Sequence, residues 1–281
     1  MIKAGYTVTA LSTGQFRLDG GAMFGNVPKV LWERQHPADD KNRILLELRV
    51  LLIEGHGRKI LVDTGSGNQW DPKEQSIFAL TVDNDPGVVS ALRAKGVDPD
   101  SITDVVLTHL HFDHAGGVTR RGPNGPVLTF PNATHHLQRS NLDTARAPNE
   151  RERASYLPRN VDPLADARLA LADGTSEILD DIHVEVSDGH TTGLQSVRVG
   201  SGEGAVVFTA DMLPTAAHVP VSWMMGYDLC PRTLMKEKRS LLERAARYRW
   251  AIVLEHDPCR DAVLVSEKDG RFQSAGDVVL A

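Results

Sequence analysis

The chain has 281 residues, 31 Lys and Arg against 37 Asp and Glu, a formal net charge of -6 and a hydrophobic fraction of 41%. This length suits one large domain or two small ones, and the composition is typical of a globular protein. The acidic balance and the lack of a basic tract count against nucleic acid as the main partner. Because no stretch has the length of an export signal or a membrane span, and only two cysteines are present, we expect a cytoplasmic protein with no membrane partner.

The first hundred residues predict strands followed by one helix. Residues 6–18 predict two short strands around a turn at 12–14. The apolar run at 44–53 and the run at 59–65 predict an antiparallel hairpin. Asp and Pro begin, and Lys and Gly end, a helix over residues 85–96. Strands and helices in this order favour sheet layers covered by helices.

A glycine-rich segment at residues 19–28 carries two large apolar side chains, Met23 and Phe24. Its glycines and proline predict a non-helical loop. The two side chains either pack into the core or line a substrate pocket, and both interpretations stay open.

The middle of the chain predicts a strand at residues 133–137 and then a charged, arginine-rich segment at 138–173. Adjacent strand residues point to opposite faces, so His135 and His136 cannot easily serve one site. No flexible linker flanks the segment at 138–173, and we expect it to form a helical cap inserted into the same domain.

Four chemically reactive side chains follow a short buried-type strand at residues 104–107: His109, His111, Asp113 and His114. Neutral imidazole and carboxylate are the ligands that zinc and related metals prefer. Two glycines then let the backbone pass close to the site. One loop rarely supplies all ligands of a metal, so others must come from elsewhere in the chain.

Three further candidate ligands, His190, Asp211 and His256, each stand just past a predicted strand. The predicted strands are at 182–186, 205–208 and 250–254, with a helix at about 233–248 before the last. Strand ends on one edge of a sandwich can converge on a single site. The repeated placement of these side chains predicts one constellation built from four strand ends.

This pattern, His109-x-His111-x-Asp113-His114 with distant His190, Asp211 and His256, resembles the signature of the metallo-β-lactamase superfamily. Residues 60–65 resemble its early aspartate motif, which contains Asp63. The resemblance covers residues 44–258. It implies an α/β fold, a four-layer αβ/βα sandwich, as a single domain over residues 1–281 with the helical cap at about 138–173.

The resemblance also implies two divalent metal ions, zinc first, with manganese, cobalt or iron also compatible with these ligands. In binuclear members one metal takes three histidines, matched by His109, His111 and His190. The second set is matched by Asp113, His114 and His256, and the bridging carboxylate by Asp211.

The implied reaction is hydrolysis by a metal-bound hydroxide, with Asp113 holding a proton or orienting the nucleophile. The long segment before the histidine loop resembles the lactonase and methyl parathion hydrolase branch. We therefore expect a lactonase for a small-molecule substrate, such as the acyl-homoserine lactones of quorum quenching. Phosphotriesterase or arylesterase activity is the alternative. A nuclease or a β-lactamase is disfavoured by the missing basic tract and export signal, and a redox protein by the lack of room for a flavin domain.

Tyr227 is the candidate substrate-binding and catalytic side chain outside the ligand set. Lactonases of this superfamily place a tyrosine phenol beside the substrate carbonyl, although Tyr227 could instead be packed among its bulky neighbours. His218 is expected at the surface. The resemblance suggests a homodimer, and Met23 and Phe24 could face a second subunit as readily as a pocket.

Overall fold

A computed structural model describes residues 1–280. In chain order the strands are β1 (Ile2–Lys3), β2 (Tyr6–Asp19), β3 (Arg43–Gly55), β4 (Arg58–Val62), β5 (Asp104–Val106), β6 (Thr119–Gly122), β7 (Gly125–Leu128), β8 (Thr134–Gln138), β9 (Arg168–Ala172), β10 (Ser176–Leu179), β11 (Ile182–Ser187), β12 (Leu194–Val199), β13 (Val206–Phe208), β14 (Ala251–Val253), β15 (Ala262–Lys268) and β16 (Arg271–Val278). The helices are α1 (Gly20–Phe24), α2 (Lys29–Trp32), α3 (Pro72–Phe78), α4 (Gly87–Ala94), α5 (Phe112–Ala115), α6 (Arg139–Arg146), α7 (Pro158–Val161) and α8 (Pro231–Tyr248). No helix within residues 1–280 is both long and apolar enough to cross a bilayer.

Two seven-stranded sheets form the two central layers. The first has the order β1-β2-β3-β4-β5-β8-β9 and the second the order β10-β11-β12-β13-β14-β15-β16. β4, β5, β8 and β9 run parallel to one another, and so do β13 and β14. The carboxyl ends of neighbouring parallel strands meet at one edge of a sheet, which is where a site built from strand ends must lie.

Strand β3 shows why the layers stack. Leu51 and Ile53 join the core between the two sheets, whereas Val50 and Leu52 face the helices α4 and α6 on the outside of the first sheet. A strand that is buried on both faces needs a continuous apolar run, and residues 50–53 supply one. Helix α8 places Leu234, Leu241 and Leu242 in the core that includes the second sheet. The predicted four-layer αβ/βα sandwich is confirmed.

Three segments differ from their predicted conformation. β2 is one strand of 14 residues with an irregularity between Ser12 and Gln15 rather than two strands, because it pairs with β3 along both halves. The segment at 20–24 is a short helix, not a loop, since the Asp19 carboxylate caps the backbone N–H of Ala22. Within the predicted helical cap, Arg168–Ala172 form the edge strand β9.

Candidate metal centre

Seven side chains from four strand ends come together between the sheets. They are His109, His111, Asp113 and His114 after β5 and on α5, His190 after β11, Asp211 after β13 and His256 after β14. All are buried, with at most 8% of the residue exposed. The sequence pattern therefore predicted which side chains would meet, although they are separated by up to 147 positions along the chain (256 minus 109).

The first ligand set consists of three imidazoles and one carboxylate oxygen. Nδ1 of His111 lies 3.0 Å from Nε2 of His109 and 3.2 Å from Nε2 of His190. Nε2 of His190 is also 3.1 Å from Oδ2 of Asp211. Four donor atoms that face one point at these distances can hold one cation.

The second set consists of Asp113, His114 and His256. Oδ2 of Asp113 lies 3.8 Å from Nε2 of His114 and 3.7 Å from Nε2 of His256. Asp211 stands between the two sets, because its Oδ1 is 3.1 Å from His256 while its Oδ2 is 3.4 Å from His114. Its carboxylate can therefore bridge two cations.

The donor atoms fit a metal better than they fit one another. Nε2 of His114, Nε2 of His256 and Oδ1 of Asp211 are buried and have no hydrogen-bond partner within residues 1–280. An unpaired buried polar atom is costly, and such atoms are rare in folded proteins. Two adjacent cations would satisfy all three atoms, so the site has the chemistry of a binuclear centre.

Most of the ligand histidines are oriented through their other ring nitrogen. Nδ1 of His190 donates to Oδ1 of Asp228 at 2.9 Å, and Nδ1 of His256 donates to the Glu47 carbonyl at 2.8 Å. Nδ1 of His114 is 3.1 Å from Oδ2 of Asp63, and Nδ1 of His109 is 3.1 Å from the Thr108 hydroxyl. Such outer partners fix the tautomer, so the nitrogens that face the centre are left as lone-pair donors.

Asp63 holds the histidine loop in place through hydrogen bonds to Thr108. Its carboxylate accepts from the backbone N–H and the hydroxyl of Thr108, at 2.8 and 2.7 Å. Its own φ of +59° is unusual for a residue other than glycine, and such strain often accompanies functional sites. A Cβ at Gly116 would lie 2.2 Å from the Ser66 carbonyl, so this glycine is required where the loop after β4 approaches the histidine loop.

The electrostatics of the centre depend on its carboxylates. Burial lowers the pKa of both His109 and His111, and the neighbouring imidazoles lower it further, which keeps these two rings neutral. Burial alone would also lower the pKa of His190, but Asp211 and Asp228 outweigh it and raise the pKa to about 10. Without a cation this ring is therefore protonated, and a bound metal would displace the proton from the nitrogen that faces the centre. Three imidazoles hold the pKa of Asp211 well below its usual value, although burial opposes them. Asp211 is therefore an anion that attracts positive charge to the centre.

A cavity of about 320 Å³ opens from the candidate metal ligands to the surface. His111, Asp113, His190, Asp211 and His256 stand at its base. Its apolar walls are Leu18, Met23, Phe78, Phe112 and Met225, and its polar side is formed by Arg151, Glu152, Ser155 and Tyr227. A small amphiphilic molecule suits this mixture of walls.

Met23 and Phe24, the two candidate substrate-binding residues of the glycine-rich segment, lie in different environments. Met23 lines the cavity, but Phe24 is absent from the lining that the described residues form. Phe24 is instead stacked between Trp32 and His218, with ring centroids 5.4 and 4.7 Å apart. Of the two interpretations left open for Phe24, its position favours packing in the core, because the short helix α1 turns adjacent side chains to different sides.

His218 is buried rather than exposed, contrary to expectation. Its Nε2 donates to the Met23 carbonyl at 2.9 Å, and its Nδ1 accepts from the Thr215 hydroxyl at 2.8 Å. Burial lowers its pKa to about 3, so the ring stays neutral. His218 therefore fixes the segment that presents Met23 to the cavity.

Tyr227 stands at the mouth of the cavity with 40% of its surface exposed. Burial of the phenol raises its pKa to about 12, and the carboxylates of Asp19, Asp113 and Asp211 act in the same direction. The hydroxyl is therefore protonated at neutral pH and can donate a hydrogen bond.

Sequence reasoning missed three residues near the centre: Asp228, Glu255 and Arg151. Asp228 and Glu255 adjoin the candidates Tyr227 and His256 in sequence, which was the only available signal. Glu255 lies 3.0 Å from Nδ1 of His114, and burial raises its pKa to about 8 against the opposing effect of His114. Arg151 lies in the segment at 138–173, whose arginines look alike in sequence.

The fold and this centre define the class of protein. A family model of the metallo-β-lactamase superfamily matches residues 49–256, and the chain belongs to this superfamily. The matched region contains all seven side chains of the centre.

One curated relative and two solved structures show which members of the superfamily this chain is similar to. The chain is 28% identical over 215 residues to the N-acyl homoserine lactonase AttM of Rhizobium johnstonii. The alignment covers 74% of this chain and 77% of the relative. The structure of a probable metal-dependent hydrolase from Staphylococcus aureus matches with a TM-score of 0.88 and 29% identity, over 99% of this chain and 100% of that one. AidC, described as a dizinc quorum-quenching lactonase, matches with a TM-score of 0.80 over 100% of this chain and 97% of its own; at 19% identity it supports the fold alone.

Proposed function

We propose that this protein is a metal-dependent hydrolase that opens lactones at a centre of two divalent metal ions. The observation that carries the proposal is the pair of ligand sets that share Asp211 at the base of a largely apolar cavity. The AttM relative is named as an N-acyl homoserine lactonase, which supports the same class of substrate.

The candidate ligands fall into two sets, one for each cation. His109, His111 and His190 would hold one cation, and Asp113, His114 and His256 the other, with Asp211 between them. Two cations bound there would lower the pKa of a bound water toward neutrality and would polarise the ester carbonyl. Because imidazole and carboxylate donors predominate, zinc is the first candidate for both positions.

Asp113 and Tyr227 are the two side chains proposed to act on the substrate. The Asp113 carboxylate reaches the cavity and can accept the proton released when water attacks, then return it to the leaving alkoxide. The protonated phenol of Tyr227 can donate to the carbonyl oxygen as negative charge develops on it. The apolar walls, Met23 among them, exclude water and receive an acyl chain.

The proposal is tested by metal analysis of the purified protein together with a hydrolysis screen. The screen covers N-acyl homoserine lactones, simple lactones, phosphotriesters, aryl esters, thioesters and β-lactams. We expect two equivalents of metal and the highest kcat/KM on lactones. Two equivalents of metal with turnover of phosphotriesters or aryl esters but not lactones would contradict the substrate assignment and leave a hydrolase of another branch.

A further inference from the structure

A contact across the cavity mouth links two segments that carry no candidate metal ligand. The first, here called the cap loop, is residues 149–156, and the second, the rim loop, is residues 220–228. Nη2 of Arg151 in the cap loop donates to the carbonyl of Gly226 in the rim loop. Both residues line the cavity, and Gly226 adjoins Tyr227. The guanidinium of Arg151 is thereby held at the polar side of the mouth.

The cap loop is anchored well enough to hold a side chain in place. Oδ1 of Asn149 accepts from the backbone N–H groups of Arg151 and Glu152, at 2.9 and 3.1 Å. The buried carboxylate of Glu152 accepts from the hydroxyl of Thr191, the residue after His190. The Tyr156 hydroxyl is 2.8 Å from the same Thr191 oxygen. The position of Arg151 is therefore tied to the metal centre through the chain beside His190.

Arg151 has more donors than the protein uses. A guanidinium carries five N–H groups, and only one bond to Gly226 is made by the Arg151 side chain within residues 1–280. No carboxylate of the described residues lies within ion-pair distance of it. Among the described residues that line the cavity, it is also the only Arg or Lys. A cation with unused donors beside apolar walls is suited to a polar group of the substrate.

We propose that Arg151 is a specificity-determining residue that selects lactones bearing an acceptor oxygen outside the ring, such as the amide carbonyl of an N-acyl substituent. This inference rests on the proposed lactone hydrolysis. The ring carbonyl must reach the ligands at the base of the cavity, so a substituent on the ring extends toward the mouth where Arg151 stands. A site that offers a hydrogen bond to one substrate discriminates against the analogue that lacks the acceptor.

The test compares two lactones on wild-type holoenzyme and on Arg151→Met, which keeps an apolar stem but no donor. One lactone is N-hexanoyl homoserine lactone, and the other is γ-hexanolactone, which has no amide. We expect Arg151→Met to lower kcat/KM for the amide-bearing lactone by about 10-fold to 100-fold, the effect of one charge-assisted hydrogen bond. The loss should appear mainly in KM, because the contact exists before and during reaction. The value for γ-hexanolactone should change by less than about 2-fold.

Two further variants complete the design. Arg151→Lys keeps the charge without the planar fork, and we expect a smaller loss on the same substrate only; it also serves if the Met variant does not fold. Arg153→Met is the matched control, because this exposed arginine is outside the cavity lining and its side chain makes no hydrogen bond in residues 1–280. We expect it to leave both substrates unchanged.

The outcomes separate this inference from the proposed function. If the wild type hydrolyses both lactones and the Arg151 variants lower both equally, Arg151 only joins the two loops and the inference is wrong. Unchanged kinetics on both would overturn it as well. If the wild type hydrolyses neither lactone, the proposed function fails and the inference fails with it.

Discussion

Histidines follow one strand of the first sheet, β5, and lie within its parallel neighbour, β8. The two groups of histidines have different surroundings. After β5, His109, His111 and His114 converge with ligands from three other strand ends. Within β8, His135 and His136 pair with Val105 and Val106 of β5 and stay apart from that centre. The difference teaches that a histidine becomes a candidate ligand by standing beyond a strand end, where the chain is free to turn.

The backbone explains why. Side chains within a strand alternate between the two faces of the sheet. His136 forms a hydrogen bond to Asp104 at 2.8 Å on one face. His135 points to the opposite face and has no hydrogen-bond partner among residues 1–280. Past β5 the chain instead enters the short helix α5, whose turn brings Asp113 and His114 to the same side as His111. Four donors can then reach one centre.

The comparison is tested most strongly by removing one imidazole from each region. Nε2 of His114 faces the second ligand set and has no hydrogen-bond partner among residues 1–280. His114→Ala should therefore remove about one equivalent of metal and lower kcat on lactones by more than about 100-fold. His136→Ala is the matched control. It should leave metal content and kcat within about 2-fold, because Asp104 keeps its bonds to Arg58 and Thr103.

Metal analysis and steady-state kinetics measure both variants. If His136→Ala also releases metal, the two regions are coupled and the distinction drawn from strand position is wrong.

A smaller effect, on metal affinity, is expected when Asp228, the residue that orients His190, is substituted. Oδ1 of Asp228 accepts from Nδ1 of His190, and its Oδ2 accepts from the backbone N–H of Met225 at 2.8 Å. Asp228→Ala should weaken metal affinity by about 10-fold to 100-fold, as is usual for such partners. Competition with a chromogenic chelator measures it. Asp228→Asn keeps an acceptor and should lose less; an equal loss would mean that the negative charge rather than the orientation of His190 matters.

At the rim of the cavity we expect an effect on turnover without loss of metal. Tyr227→Phe removes the phenol hydroxyl and should lower kcat about 10-fold, since the partly exposed hydroxyl competes with water for the carbonyl oxygen. Metal content should remain at the wild-type value. Tyr248→Phe, at the end of α8, is the control. Unchanged kcat in Tyr227→Phe would show that this tyrosine is only packed at the mouth.

These regions also differ in how far the sequence predicted them. The seven donors could be named in advance because each lies beyond a segment whose apolar run or alternating pattern predicts a strand. The packing of Phe24 could not, because a helix of five residues begins where glycines favour a loop, and its direction depends on the distant Trp32 and His218. Arg151 was equally hidden, since its contact with Gly226 joins segments 75 positions apart.

The smallest expected effect on turnover belongs to His135, yet it should change stability with pH. Both ring nitrogens are buried and have no hydrogen-bond partner in the described part of the chain, and burial lowers the pKa of His135 to about 4 from the usual 6.5. The unfolded chain therefore binds the proton first. Above pH 6.5, where His135 is neutral in both states, its titration does not lower the free energy of unfolding. As the pH falls from 6.5 toward 4, the free energy of unfolding decreases by on the order of 3 kcal/mol. His135→Leu should remove this loss, so its advantage in urea unfolding over wild type should grow between pH 7.5 and 4.5. His183→Leu on β11 is the control. An advantage of His135→Leu that stays constant with pH would show that the pKa of His135 is not lowered in the folded protein.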